Sequence, residues 1–104
     1  MNKKVVEMNI AAKTVVEVIH AAFEDEDQPR TVAYVVVNAK TDDRYKLETA
    51  YELTNNISHP WIQNKHVLYM GDGEGCRSTS MGDYAVLNGR KYECVAHGWE
   101  LVED

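Results

Sequence analysis

The stretch Cys76–Leu101, CRSTSMGDYAVLNGRKYECVAHGWEL, decides how the rest of the chain is read. Its centre is Asn88-Gly89, flanked on both sides by segments in which apolar and polar residues alternate. Asn-Gly between alternating segments predicts a tight β-hairpin, because a type I′ turn needs positive φ at both central residues. Pairing outward from the turn sets Leu87 opposite Arg90, Ala85 opposite Tyr92, Asp83 opposite Cys94 and Met81 opposite Ala96. The side-chain period of a strand is two, so these pairs share one face. That face is the more apolar one, and on it Asp83 stands where the polar run Arg77-Ser78-Thr79-Ser80 enters the hairpin. A buried carboxylate is costly without partners, so Asp83 is expected to accept hydrogen bonds from Arg77 or from nearby Ser or backbone donors.

Upstream of the hairpin, Gly71-Asp72-Gly73-Glu74-Gly75 reads as a flexible approach and Val67–Met70 as a short strand. Trp61, in the rigid connection Ser58-His59-Pro60-Trp61, either closes one end of the core or serves as an exposed recognition platform. Before it, Leu47, Ala50, Tyr51, Thr54 and Ile57 recur at helical spacing and predict a helix over 44–57, capped from Thr41, Asp42 or Asp43. Its outward residues are Lys46, Glu48, Glu52 and Asn55. Thr31–Val37, TVAYVVV, has almost no polar interruption and predicts a central strand buried on both faces.

The acidic run Glu24-Asp25-Glu26-Asp27, followed by Pro29, reads as a solvated turn joining that strand to another over 15–23. It lacks the spacing of a calcium loop. Residues 1–24 carry two signals at once. Val5, Met8, Ala12, Val15, Ile19 and Phe23 fit a helix, whereas the β-branched run Thr14–Ile19 fits a strand, with residues 1–10 less ordered. The fold class expected is α+β: one domain over 1–104, a mostly antiparallel sheet of four to five strands, and one main helix packed on one face.

At 104 residues with 44% apolar and 27% charged residues, the composition is that of an ordinary globular domain. A net charge of −6 argues against direct nucleic-acid or anionic-membrane binding and admits a basic partner. No apolar run is long enough to span a bilayer and no signal-peptide pattern opens the chain, so the expected location is cytoplasmic. Cys76 and Cys94 make no disulfide framework. With His66 and His97 they form a nominal zinc set without close ligand pairs, and burial as a small apolar side chain is the simpler reading of Cys94. No metal or cofactor is expected.

The segment Gly73–Ser80 has the composition of an anion-binding loop, with converging backbone N–H groups, hydroxyls and an Arg fork, but it lacks a Walker pattern. The alternative is that Ser and Thr satisfy strand-end backbone groups while Arg77 pairs with Asp83. Ser78 or Ser80, His97 and Asp83 supply the residue types of a hydrolytic triad without a nucleophile elbow, so no enzyme activity is expected.

Arg77-Ser78-Thr79-Ser80-Met81-Gly82-Asp83, then Asn88-Gly89, Tyr92-x-Cys94 and Gly98-Trp99, resemble the C-terminal motif of the YodL-like family. Tyr51-Glu52-Leu53-Thr54-Asn55-Asn56-Ile57 with Trp61 resembles a version found in small proteins of phages and mobile elements, so the likeness covers residues 51–102. It departs at Trp99, where members usually have Phe. What the resemblance implies is a small phage or mobile-element accessory protein, located in the host cytoplasm if phage-encoded, that modulates a host process or defence system. With no catalytic constellation or cofactor motif among the residues, the expectation is a non-enzymatic interaction protein that inhibits or modulates a host factor. A module sequestering a small anionic, nucleotide-like molecule at residues 76–83 is the alternative. The residues expected to meet a ligand or partner are Arg77, Ser78, Thr79, Ser80, Asp83, Trp61 and Trp99.

Overall fold

A computed structural model describes residues 12–23 and 28–103. The ordered elements are β1 (Lys13–His20), β2 (Arg30–Asn38), the helix α1 (Asp43–Leu53), a single 3₁₀ turn (Trp61–Gln63), β3 (Val67–Tyr69), β4 (Tyr84–Leu87), β5 (Arg90–Val95) and β6 (Gly98–Glu103). The strands form one antiparallel sheet in the order β3-β2-β1-β4-β5-β6. Two local meanders, β3-β2-β1 and β4-β5-β6, therefore meet along β1 and β4. Among the described residues no helix is long and apolar enough to cross a membrane.

The Asn88-Gly89 hairpin forms as its sequence dictates. Both turn residues have positive φ, 54° and 79°, and Leu87 faces Arg90 while Ala85 faces Tyr92. At the far end Asp83 also meets Cys94, whose N–H donates to the Asp83 carbonyl at 2.8 Å. Gly82 donates to the same Cys94 from the other side at 2.9 Å, so two residues oppose one. With Gly82 at φ +95°, this is a bulge of the glycine type. The bulge ends regular pairing there, and the expected Met81–Ala96 pair gives way to a turn closed by the Asp83 N–H donating to Ser80 O at 3.0 Å. Glycine at the third position of that turn supplies the φ a type II turn needs.

Among the described residues the sheet has six strands rather than four to five. The extra one is β6, which follows Ala96-His97, a two-residue turn without the Asn-Gly signature. Gly98, at φ +132°, begins it. In β2 the prediction of burial on both faces is corrected. Val35, Val37 and Ala33 are buried, but Tyr34 is only half-buried and Val36 is exposed. The reason is that α1 covers one face of the sheet, and β2 lies one strand from the β3 edge. The predicted 15–23 strand is shifted: β1 stops at His20, and Phe23 lies outside it, exposed, with a left-handed φ of 63°. The acidic run at residues 24–27 and the helix-or-strand question for residues 1–11 fall outside the described residues.

The core gathers Val16 and Val18 of β1, Val35 and Val37 of β2, Ala85 and Leu87 of β4, Leu47 and Ala50 of α1, and Trp61. Helix α1 starts where Asp42 caps it, its carboxylate accepting from Tyr45 N at 2.8 Å. It ends about a turn earlier than the 44–57 pattern suggests. Thr54 folds its hydroxyl back onto Ala50 O at 2.8 Å, and the N–H of Asn56 is taken by Ser78 Oγ at 2.8 Å instead of by the helix. Ile57, expected on the apolar face, is consequently 79% exposed. Lys46 also departs from expectation. Its stem is buried, and its ammonium reaches the Thr41 carbonyl and lies 3.7 Å from the Asp43 carboxylate, so the long side chain closes the helix entrance.

Candidate functional site

Residues 70–83 run from β3 at the sheet edge to β4 at its middle, and the last eight of them form a strap across the end of β1. Asp83 is the anchor. Its side chain is fully buried, and its two oxygens accept five hydrogen bonds. Oδ1 takes the N–H groups of Ala21 (2.8 Å) and Ala22 (2.9 Å) and Arg77 Nη2 (2.9 Å). Oδ2 takes Arg77 Nη1 (2.8 Å) and Ser80 N (2.8 Å). Burial alone raises the pKa of this carboxyl. The Arg77 pair and the N–H donors of Ala21, Ser80 and Ala22 outweigh it and hold the group below the ordinary carboxylate range. The anchor explains why β1 stops at His20: the next two N–H groups leave the ladder for Asp83.

Arg77 is held in turn. Besides both Asp83 oxygens it donates to Ser78 O at 3.0 Å and Ala22 O at 2.5 Å, and its guanidinium stacks over Phe23 at 5.2 Å. The Arg77 carbonyl accepts the indole N–H of Trp61 at 2.8 Å. Ser78 Oγ accepts from Asn56, and Thr79 N donates to Thr54 O at 3.0 Å, so the strap also closes the C-terminal end of α1.

Beneath the strap lies His20, which is 1% exposed. Its Nε2 is 3.0 Å from Thr79 Oγ1 and 3.8 Å from Asp83 Oδ2, and its Nδ1 is 3.9 Å from Cys76 Sγ. The edge of its ring meets Trp61 with centroids 6.4 Å apart. The Thr79 hydroxyl in turn donates a hydrogen bond to Thr54 Oγ1 at 2.8 Å. Sequence reasoning passed over His20. The signal for it was the alternation Val16-Val18-His20, which carries a titratable ring onto the helix-facing side of the sheet.

A groove of about 780 Å³ opens on the other side of the strap, between α1 and the β5–β6 turn. Tyr45, Tyr51, Met81 and Trp99 give it apolar walls, and Glu48 and Glu52 line it from the helix. Tyr51 and Trp99 meet edge to face with centroids 6.4 Å apart. Tyr45 and Met81 are 59% and 60% exposed, large apolar groups open to solvent along one side of an acidic helix.

The residues picked out from the sequence thus divide. Arg77, Ser78, Thr79, Asp83 and Trp61 join in the strap and its packing, and Trp61 is fully buried, which removes it as an exposed platform. Trp99 lines the groove, and Ser80 belongs to both: its N–H donates to Asp83 in the strap, and it also lies on the groove wall. His97 sits exposed at the β5–β6 turn, and it is His20 that stands beside Asp83. Cys94 is buried, and burial, then the charges of Asp83 and Glu93, push its thiol pKa up. Among the described residues no group of three or more His, Cys, Asp or Glu side chains is placed to hold a metal ion. Comparisons with protein-family models, with curated proteins and with solved structures find no match to this chain.

Proposed function

We propose that the protein is a non-enzymatic interaction protein whose groove between α1 and the β5–β6 turn receives a basic segment of a partner protein. The observation that carries this is the pairing of exposed aromatic and thioether surface with carboxylates in one concave site. Tyr45, Tyr51, Met81 and Trp99 offer flat, polarisable contacts to the stems of Lys and Arg, and Glu48 and Glu52 answer their charges. The net charge of −6 favours approach of such a partner over distance. The resemblance of the 51–102 region to YodL-like sequences supports the broader reading of a small phage or mobile-element protein acting on a host factor or defence system in the host cytoplasm. Capture of a small anion at residues 76–83 has less support, because the charged fork of Arg77 is engaged by Asp83.

The test is a comparison of partner binding by the wild type and a Glu48→Lys/Glu52→Lys variant of matched melting temperature. Association of the partner should slow at least about tenfold in the variant, and in the wild type it should weaken as salt is raised. A partner bound equally well by both proteins would remove the groove from consideration.

A further inference from the structure

The arrangement around His20 has a chemistry independent of the groove. Thr54 gives its one hydroxyl proton to Ala50 O, and Thr79 gives its one proton to Thr54 Oγ1. Thr79 Oγ1 can then only accept from His20, which places a proton on Nε2. The other ring nitrogen, Nδ1, faces Cys76 Sγ with its lone pair. We propose that Cys76 and His20 form a thiolate–imidazolium pair, and that Cys76 is a nucleophilic thiol that exchanges with low-molecular-weight disulfides.

The surroundings favour charge separation. The Cys76 proton moves to Nδ1, and the resulting imidazolium has the Asp83 carboxylate 3.8 Å from its Nε2. Arg77 opposes a positive ring, but its guanidinium is bonded to both Asp83 oxygens. Two of the groups that meet the ring, Trp61 of the 3₁₀ turn and Thr79 of the strap, are neutral. A cysteine beside an imidazole that can take its proton is a setting that lowers thiol pKa values. Cys94 provides the contrast within one molecule: burial, then the charges of Asp83 and Glu93, push its thiol pKa up. Cys76 is only partly buried and follows the exposed segment 71–75, which gives a reagent a way in.

The exchange balances without further components. The Cys76 thiolate attacks one sulfur of the small disulfide and forms a new S–S bond. The original S–S bond breaks, and the leaving thiolate departs with its electron pair and takes the proton held by His20. The products are a mixed disulfide on Cys76 and one small thiol.

The reduced full-length protein, as wild type and as Cys94→Ser, is alkylated with iodoacetamide between pH 5 and 9, and the modified cysteine is identified by mass spectrometry. Glutathione disulfide serves as the exchange partner in a parallel series. Cys76 should react at pH 6 about tenfold faster than a free thiol such as glutathione, with a rate that levels off below neutrality. His20→Asn should abolish that plateau. Should this variant not fold, thiolate absorbance near 240 nm, taken as wild type minus Cys76→Ser, reads the same pair. Thiolate persisting below pH 7 supports it. A Cys76 rate that falls with pH like that of glutathione, or no thiolate signal below pH 7, overturns the proposal.

Discussion

Replacing Asp83 by Asn changes one atom in a side chain that is fully buried, so its consequences can be followed bond by bond. If the amide keeps its oxygen in the Oδ1 position, the N–H groups of Ala21 and Ala22 and Arg77 Nη2 retain an acceptor. The amide nitrogen then replaces Oδ2 and points hydrogens at Ser80 N and Arg77 Nη1, two donors 2.8 Å away. Breaking a buried ion pair from one side costs about 3–5 kcal/mol. Arg77 is 28% exposed and keeps Ser78 O as a partner, so it can recover part of this loss from water. The expected cost is therefore at the lower end, about 3 kcal/mol, or about 12–24 °C in melting temperature for a chain of this length.

The pH dependence has a definite sign. Asp83 titrates in the folded protein below its unfolded value of about 3.9, so its contribution is complete above that pH and is lost as pH falls through the folded value. Urea unfolding followed by tryptophan fluorescence should show a constant gap between wild type and Asp83→Asn from pH 5 to 8, closing below about pH 4. A gap under about 1 kcal/mol at pH 7, or one that does not close in acid, would refute the anchoring role.

Trp61→Phe keeps most of the buried ring but removes the indole N–H bond to the Arg77 carbonyl, and should lower stability by about 1–3 kcal/mol in the same urea assay. Gly82→Ala must place a side chain at φ +95° with its Cβ 3.1 Å from Ala22 Cβ, so it should cost more than Gly89→Ala, where φ is +79° but the space around the new Cβ is open. Equal midpoints for these two glycine variants would mean that crowding against Ala22 contributes nothing.

What could be read from the chain was what repeats at short range. Asn88-Gly89 disclosed its own turn and the register beside it, and from that register came the burial of Asp83 and its need for Arg77. The helix was visible from Leu47 and Ala50, but not its end, because Ser78, twenty-two residues on, takes the N–H of Asn56. β6 was hidden by a turn, Ala96-His97, with no composition to announce it. The His20–Thr79 contact spans 59 positions, and no periodicity within either segment joins them. The groove eluded the sequence for the same reason. Tyr51 reads as a helix residue and Trp99 as a chain ending until the sheet brings the two rings edge to face.

The seam between β1 and β4 has a consequence for the order in which the chain folds. The β4-β5-β6 meander closes through two-residue turns and β1-β2 through one loop, and β3 returns to β2 after α1, whereas the seam and its Asp83 anchor join residues about sixty apart. Closing a loop of that length has an entropic cost that local pairing avoids. The two meanders should therefore form first, each exposing the flank of a strand, and dock afterwards. The strap is then the latch of a late step: once Asp83 has captured the N–H groups at the end of β1, the two halves of the sheet part only if that buried charge is released.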